Sequence, residues 1–309
     1  MESVVYTRPP FYATFLKPLA WLPYRTAYAV FSMATFACVL WFVIKFSKEC
    51  HSLPFFAAMS IPVLTALCGG QDTPFLLAML GGSILLTRGK KDIRAGALLS
   101  LVAIKFHLFL FVPALLLMKR RWLLLGGALT GMVVWAGFGV AVAGGLDAWK
   151  QYMAVLRDPW INPSATIMPN IHGFVAVLNG GVGLEVVLST SVAVAFIWIV
   201  RRSDDYEFLL AVSLMCGLLV SFHSGVADDL VLLPAFIALA RTDAMPSLRV
   251  ASALILTPVP YFMVLAGAPY SAFFPVFLFV ILGLAVVAVS NRGKQMTAHE
   301  ATCSAGRVD

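Results

Sequence analysis

Long apolar stretches recur along this chain from Trp21 to Ser290, and only short polar breaks separate them. Of the 309 residues, 61% are hydrophobic and 12% are charged, whereas a soluble domain is about half apolar and a quarter charged. Backbone polar groups in lipid must pair within the protein, and the short alternating segments of a barrel are not visible, so we expect helices. The pattern therefore predicts an all-α, polytopic integral membrane protein.

Several of the predicted apolar segments are shorter than the roughly 20 residues that a full span needs. The segments cover residues 24–46, 51–67, 74–87, 95–104, 107–118, 122–143, 174–200, 206–222, 230–240, 250–266 and 270–290. Short or broken helices are tolerated where they pack inside protein or line a cavity. We assign residues 1–290 to one transmembrane domain and the polar residues 291–309 to a cytoplasmic tail that frays.

The distribution of Lys and Arg sets the predicted orientation. Residues 95–118 lie between two basic clusters, so they either cross once or form a hairpin of two half-helices that turns at "IKFH" (104–107). The hairpin places the later Lys and Arg in the cytoplasm except Lys150 and Arg157, and the positive-inside rule therefore favours it. The N-terminus and Lys105 are then outside. The long loop 144–172 is also external, and its residues 147–160 are predicted to form a helix on the membrane surface.

Ionisable groups at membrane depth are costly to bury, which makes each one a candidate for a site. Lys105 lies between apolar half-helices and needs an anionic partner, either a carboxylate or a phosphate; the alternative is a lysine that snorkels at a helix end. His107 either shares this site or lies at the membrane interface. His223 is a candidate general acid/base or a candidate hydrogen-bond donor to a phosphate; the alternative is a histidine that caps a helix.

Acidic and amide residues on the predicted outer face are further candidates. Asp228 and Asp229 precede an apolar helix, and we assign Asp228 to the helix start and Asp229 to the wall of an outer cavity. Asp72 or Thr73 is assigned as the N-cap of the helix that begins near residue 74. Gln71 has no such role, and its amide suits sugar hydroxyls.

The remaining polar motifs are less specific. Asn170 and His172 in "MPNIHGF" (168–174) end the external loop, where either side chain recognises substrate or Asn170 merely begins a helix. The histidines lack the spacing of metal ligands, and no CxxC is present, so we expect no metal, no cofactor and no disulfide framework. The net charge of +7 is explained by cytoplasmic basic loops, and we expect no nucleic-acid partner. Gly127–Gly131 is typical of helix packing.

Four stretches occur in a consistent order: "YTRPPFYATFLKPLAWLPY" (6–24), the segment from "GGQDTP" to "KRRW" (69–122), "MPNIHGF" (168–174) and "SFHSGVADDLVLLP" (221–234). Together they resemble glycosyltransferase family 87, membrane enzymes of the GT-C fold. The chain is similar to polyprenol-phosphate-mannose-dependent mannosyltransferases. The resemblance implies a GT-C-like helical bundle, metal independence, and contacts of Lys105 and His223 with a donor phosphate. Gln71 and Asp229 match further positions of the family pattern.

The resemblance implies transfer of a hexose, expected to be mannose, from a polyprenyl-phosphate donor to a glycan or glycolipid acceptor. The reaction is expected on the extracytoplasmic face of the cell membrane. Family members carry an acidic base in a first external loop, and the chain starts after that point, so we expect an N-terminally incomplete domain without this base. Phe106 and Phe222 stand where the family has prolines. The alternatives are a transporter or flippase, for which no convincing repeat is visible, and an inactive truncated family member.

Overall fold

The computed structural model describes residues 8–142, 144–157, 164–241 and 245–305, with side chains through residue 291. Within these residues there are helices and no β-strand, which confirms the all-α prediction. The α-helices are α1 Pro10–Leu16, α2 Tyr24–Phe46, α3 Leu53–Met59, α4 Ile61–Cys68, α5 Thr73–Arg88, α6 Asp92–Leu99, α7 Phe111–Met118, α8 Trp122–Val142, α9 Leu146–Leu156, α10 Ile171–Val177, α11 Val182–Arg202, α12 Tyr206–Val220, α13 Leu233–Ala240, α14 Pro246–Ile255, α15 Val259–Leu265 and α16 Phe273–Ala305. Short 3-10 helices cover Lys17–Trp21, Ser100–Phe109, Ala165–Ile167, Val226–Leu232 and Tyr270–Ala272.

Four stretches among the described residues are long and apolar enough to cross a membrane. They are α2, α8, α11 and Tyr270–Asn291, and two bent helix pairs raise the number of candidate spans to as many as six. In α2, α8 and α11 only 17% of the apolar window is buried within the protein. Apolar helices that remain so exposed are suited to contact with lipid, and the chain is a multi-pass membrane protein.

The short helix α12 lies at the centre of the bundle. Its residues from Phe208 to Leu219 are all buried, and it packs against α7, α11 and α13. At 15 residues it is roughly 22 Å long, which is less than the thickness of a hydrocarbon core. A helix of this length is stable at membrane depth because protein surrounds it, as the sequence predicts.

The predicted hairpin is present as a sharply bent helix pair, here called the fold-back (residues 92–118). Its two parts, Asp92–Phe109 and α7, are bent by 113°. Lys105 has non-helical backbone angles, with φ −129° and ψ 59°. The non-helical backbone at Lys105 therefore falls inside the predicted turn at 104–107, and a second break follows between Phe109 and Phe111.

Close glycine contacts fix the fold-back against α8. A Cβ added at Gly127 would lie 2.2 Å from the carbonyl oxygen of Ile93, and one added at Gly96 would lie 2.0 Å from that of Leu124. A Cβ at Gly131 would lie 2.1 Å from the Ser100 hydroxyl oxygen. The Gly127–Gly131 spacing is thus a helix-packing contact, as predicted.

Several predicted segments are divided or extended in the structure. Segment 51–67 breaks at Ser60, whose side chain caps α4, and segment 174–200 breaks between α10 and α11. The helix α16 continues beyond Asn291, so the residues assigned to the polar tail are helical through Ala305. The helix predicted over residues 147–160 is present as α9, while residues 158–160 of that prediction lie outside the described residues.

Candidate functional site

Lys105 lies in a buried cluster of charged side chains that come from distant parts of the chain. Its Nζ contacts the Asp228 carboxylate and lies 3.0 Å from Oδ1 of Asp72. The Thr73 hydroxyl oxygen is 3.3 Å away and accepts a hydrogen bond from Nζ. Lys105 is only 4% exposed, and an ammonium at this depth is tolerated because opposite charges pair with it. Of the two predicted kinds of anionic partner, the structure supplies carboxylates.

Arg8 extends this cluster toward solvent. Its Nη2 donates a 3.3 Å hydrogen bond to Oδ1 of Asp72, and its Nε contacts Oδ2 of the same carboxylate. The Arg8 side chain is 21% exposed, compared with 5% for Asp72. Cations and anions therefore alternate in the order Arg8, Asp72, Lys105, Asp228, and their formal charges balance.

Breaks between helices place these side chains at one level. Lys105 is at the kink of the fold-back, and Asp72 comes directly before α5. Asp228 lies in the first turn of the 3-10 helix Val226–Leu232, where its Oδ2 also accepts a 3.0 Å hydrogen bond from the Gly225 N–H. The fold-back approaches α12 so closely that a Cβ at Gly217 would lie 2.2 Å from a fold-back carbonyl oxygen. Interrupted helices thereby bring polar groups together inside an apolar bundle.

A cavity of about 410 Å³ adjoins the charged cluster. Its lining includes Arg8, Gln71, Lys105, His107, His223 and Asp228. Four predicted site residues, Gln71, Lys105, His107 and His223, therefore share one cavity. Its volume is within the range of small-molecule sites, which is roughly 300–1,000 Å³.

The two cavity histidines lie next to each other in an edge-to-face arrangement. The ring centroids of His107 and His223 are 6.0 Å apart and the rings are nearly perpendicular. Nε2 of His107 is buried without a hydrogen-bond partner among the described residues. Burial lowers the pKa of the His223 imidazole, which lies in the loop after α12, below its ordinary value. Burial thus favours the neutral imidazole, and such a ring has one N–H donor and one acceptor nitrogen.

Asn170 is placed behind the cavity rather than in its wall. It is completely buried, and its Nδ2 donates hydrogen bonds of 2.9 Å to the Ser221 carbonyl and to the Ser224 hydroxyl. Its Oδ1 accepts a 2.9 Å hydrogen bond from the Gly173 N–H at the start of α10. Asn170 therefore caps the start of α10, which is one of the two roles predicted from the sequence. Its hydrogen bonds to Ser221 and Ser224 also anchor the segment that contains His223.

The cavity residue of this pair is Asp228 rather than the expected Asp229. Asp228 does begin a helix, but it also lines the cavity and pairs with Lys105. Asp229 is 1% exposed, and neither of its carboxylate oxygens has a hydrogen-bond partner among the described residues. Successive side chains of a 3-10 helix point about 120° apart, since the helix has three residues per turn. One aspartate of the pair therefore faces the cavity and the other faces the interior.

Sequence reasoning missed Arg8 as a site residue and gave Asp72 another role. Asp72 makes no N-cap hydrogen bond through its side chain and instead pairs with Arg8 and Lys105. A usable signal was present, because all three residues lie on the same predicted face and a buried lysine needs a carboxylate. His172 lies outside the cavity lining, and its Nδ1 is 3.1 Å from Oε2 of Glu185, within hydrogen-bond distance. Within the described residues, no group of three or more metal-ligand side chains is found.

Comparison with known proteins gives a family match. The sequence model described as glycosyltransferase family 87 matches residues 6–222, which is more than half of the chain. The matched range contains Arg8, Gln71, Asp72 and Lys105, and it ends one residue before His223. No curated protein and no solved structure matches the chain.

Proposed function

Because the chain belongs to glycosyltransferase family 87, we propose that it moves a hexose from a polyprenyl-phosphate donor to an extracytoplasmic glycan or glycolipid acceptor. Mannose is the expected sugar, and a GT-C arrangement is the expected class of bundle. The observation that supports the proposal most is the cavity at Lys105, which gathers cations, a carboxylate, imidazoles and an amide within a mainly apolar bundle. Phosphate and sugar hydroxyls are groups that such a lining can bind.

The proposed reaction assigns distinct tasks to the cavity residues. The acceptor hydroxyl bonds to the anomeric carbon, the bond from that carbon to the phosphate oxygen breaks, and the acceptor releases its proton. Negative charge develops on the departing lipid phosphate, where Lys105 and Arg8 can stabilise it. His223 is suited to donate an N–H to this phosphate or to accept the proton. The Gln71 amide is suited to the sugar hydroxyls.

A transfer assay with a matched pair of histidine variants tests the proposal. The purified protein is reconstituted in liposomes with radiolabelled polyprenyl-phosphate-mannose and a membrane-lipid extract as acceptor. We expect labelled product, and we expect His223→Gln to lower kcat/KM about 100-fold, because an amide cannot take up the acceptor proton and general acid–base catalysis contributes about 10²–10⁴-fold. His51→Gln changes an exposed histidine outside the cavity lining and should leave kcat/KM unchanged.

Two results would contradict the proposal. One is the absence of labelled product from the wild-type protein with polyprenyl-phosphate mannose, glucose and galactose alike. The other is labelled lipid that crosses the bilayer without any transfer, which would favour the flippase interpretation.

A further inference from the structure

Two Phe-His dipeptides meet at the edge of the cavity. They are Phe106–His107 in the fold-back and Phe222–His223 after α12. Both histidines line the cavity, whereas the phenylalanine side chains are 40% and 46% exposed. The two phenylalanine rings have centroids 6.3 Å apart, and the His107 ring lies 5.3 Å from that of Phe222. This rim is therefore polar on its cavity side and apolar on its outer side.

Phe106 also lines a separate apolar groove between the fold-back and α8. The groove lining includes Ala103, Phe106, Phe109, Pro113, Ala128 and Met132. Its volume is about 120 Å³, and Phe106 and Met132 leave it open to the surface, since they are 40% and 47% exposed. The groove thus lies on the lipid-accessible side of the same turn that carries Lys105.

Consecutive residues of this turn line different spaces, the polar cavity and the apolar groove. Lys105 and His107 line the polar cavity, while Phe106 between them lines the apolar groove. If the phosphate of a lipid lies at Lys105, the first carbons of its hydrocarbon chain lie next to Phe106, which lines the groove. An apolar cavity of roughly 150 Å³ takes up a benzene molecule. The groove is therefore large enough for about one five-carbon unit.

We propose that Phe106, Phe222 and the groove between the fold-back and α8 bind the first isoprene unit of a polyprenyl phosphate. The inference rests on the proposed function for the class of lipid. A branched, flat isoprene unit presents a broad face to two aromatic rings, whereas a straight alkyl chain presents a narrow one. Contact at this unit fixes the direction in which the attached phosphate enters the cavity.

A second apolar groove provides a competing location for the chain. It has a volume of about 360 Å³ and lies between the α14–α15 pair and α16, with Met263, Phe273 and Phe277 in its lining. Val264 and Leu265 of α15 line the polar cavity, so this groove is also a neighbour of the site. An experiment must therefore locate the first isoprene unit, since a measurement of lipid affinity alone does not separate the two grooves.

Photo-crosslinking locates this unit directly. Farnesyl phosphate with a diazirine in its first isoprene unit is irradiated with the wild-type protein in liposomes, and the labelled peptides are identified by mass spectrometry. We expect labels within 103–113, 128–132 or at Phe222, and we expect polyprenyl phosphate but not hexadecyl phosphate to suppress them. Labels at 263–277, or labels that hexadecyl phosphate suppresses equally well, would overturn the inference.

Kinetics of two variants give an independent test. Ala128→Leu fills the groove and should raise the KM for the donor about tenfold without lowering kcat, whereas Ala29→Leu on an exposed face of α2 should change neither. Phe222→Leu removes a ring at similar volume and should also raise KM, with Phe36→Leu, 56% exposed on α2, as its control. If Ala128→Leu fails to fold, the comparison of Phe222→Leu with Phe36→Leu tests the inference.

The outcomes separate this inference from the proposed function. Sugar transfer by the wild type with unchanged donor KM in both variants would overturn the inference and leave the function standing. Specific labels in the groove without any sugar transfer would support the lipid site and count against the function.

Discussion

At Lys105 a single ammonium group contacts two carboxylates inside an apolar bundle, and Arg8 contacts one of them in turn. Removal of one partner leaves an uncompensated buried charge, which costs about 3–5 kcal/mol. Loss of activity in a Lys105 variant therefore has two explanations, a lost phosphate contact and a damaged fold. Stability and activity must be measured together at this residue.

A double-mutant cycle measures how strongly Lys105 and Asp228 depend on each other. Lys105→Met and Asp228→Asn should each destabilise the protein, and the double variant should lose less than the sum of the two. We expect a coupling free energy of about 1–3 kcal/mol from thermal unfolding in detergent, because the two side chains contact each other directly.

A solvent-exposed ion pair provides the control for this cycle. Nζ of Lys119 lies 2.6 Å from Oδ1 of Asp204, whose side chain is 98% exposed. The cycle of Lys119→Met and Asp204→Asn should show no measurable coupling, since water screens such a pair. Equal coupling at the two sites would contradict the view that burial makes the Lys105 pair strong.

The sequence predicts which residues lie in the site better than it predicts which residues pair with each other. Lys105, His107, His223 and Gln71 could be predicted because each is polar at the edge of an apolar segment, and all four line the cavity. Asp228 could not be preferred over Asp229, since the choice depends on side-chain direction in a 3-10 turn. Pairings such as Arg8 with Asp72 join residues far apart in sequence, and no local pattern encodes them.

At the scale of elements, the position of Lys105 depends on how closely the fold-back approaches α8. A Cβ at Gly127 would meet the Ile93 carbonyl oxygen at 2.2 Å, whereas one at the adjacent Gly126 would meet no atom within 4 Å. Backbone atoms cannot move aside as a flexible side chain can, so the contact at Gly127 requires glycine. The fold-back is therefore held by backbone contacts rather than by polar bonds alone.

The two adjacent glycines provide a matched pair of variants. Gly127→Ala should destabilise the protein by about 1–3 kcal/mol, the usual cost of overpacking, and should lower transfer activity through displacement of Lys105. Gly126→Ala should leave stability unchanged or slightly higher, because alanine favours helix more than glycine does. Thermal unfolding in detergent checks both variants, and equal effects would contradict the proposed contact.

The helices themselves differ in how well the sequence predicts them. The bounds of α2 are predicted to the residue because Tyr24–Phe46 is one long, mainly apolar segment with no charged residue between Arg25 and Lys45. The break between α10 and α11 is missed, although "NGG" (179–181) is a turn signal and Asn179 has φ 52°. The apolar content of 174–200 conceals that break, because total apolarity reports burial in lipid or protein rather than continuity of the backbone.

At the scale of the whole molecule, the bundle has a second ionic cluster at the end opposite the cavity. Arg88 at the end of α5 pairs with Glu49 and with Glu207 of α12, and Arg241 also pairs with Glu49. The cavity lies at the other ends of α5 and α12, near Asp72 and His223. Basic residues concentrate at the Arg88 end, and from the positive-inside rule we propose that this end faces the cytoplasm and that the cavity opens on the outside.

Two native cysteines test the claim that the Lys105 cavity opens on the extracytoplasmic side. Cys68 is exposed between the cavity-lining residues Thr65 and Gln71, and Cys50 follows α2 at the other end of the bundle. Variants that retain only one of these cysteines are treated in intact cells with a membrane-impermeant maleimide. The account predicts that Cys68 is labelled in intact cells and Cys50 only after permeabilisation. Labelling of Cys50 in intact cells with protection of Cys68 would contradict it.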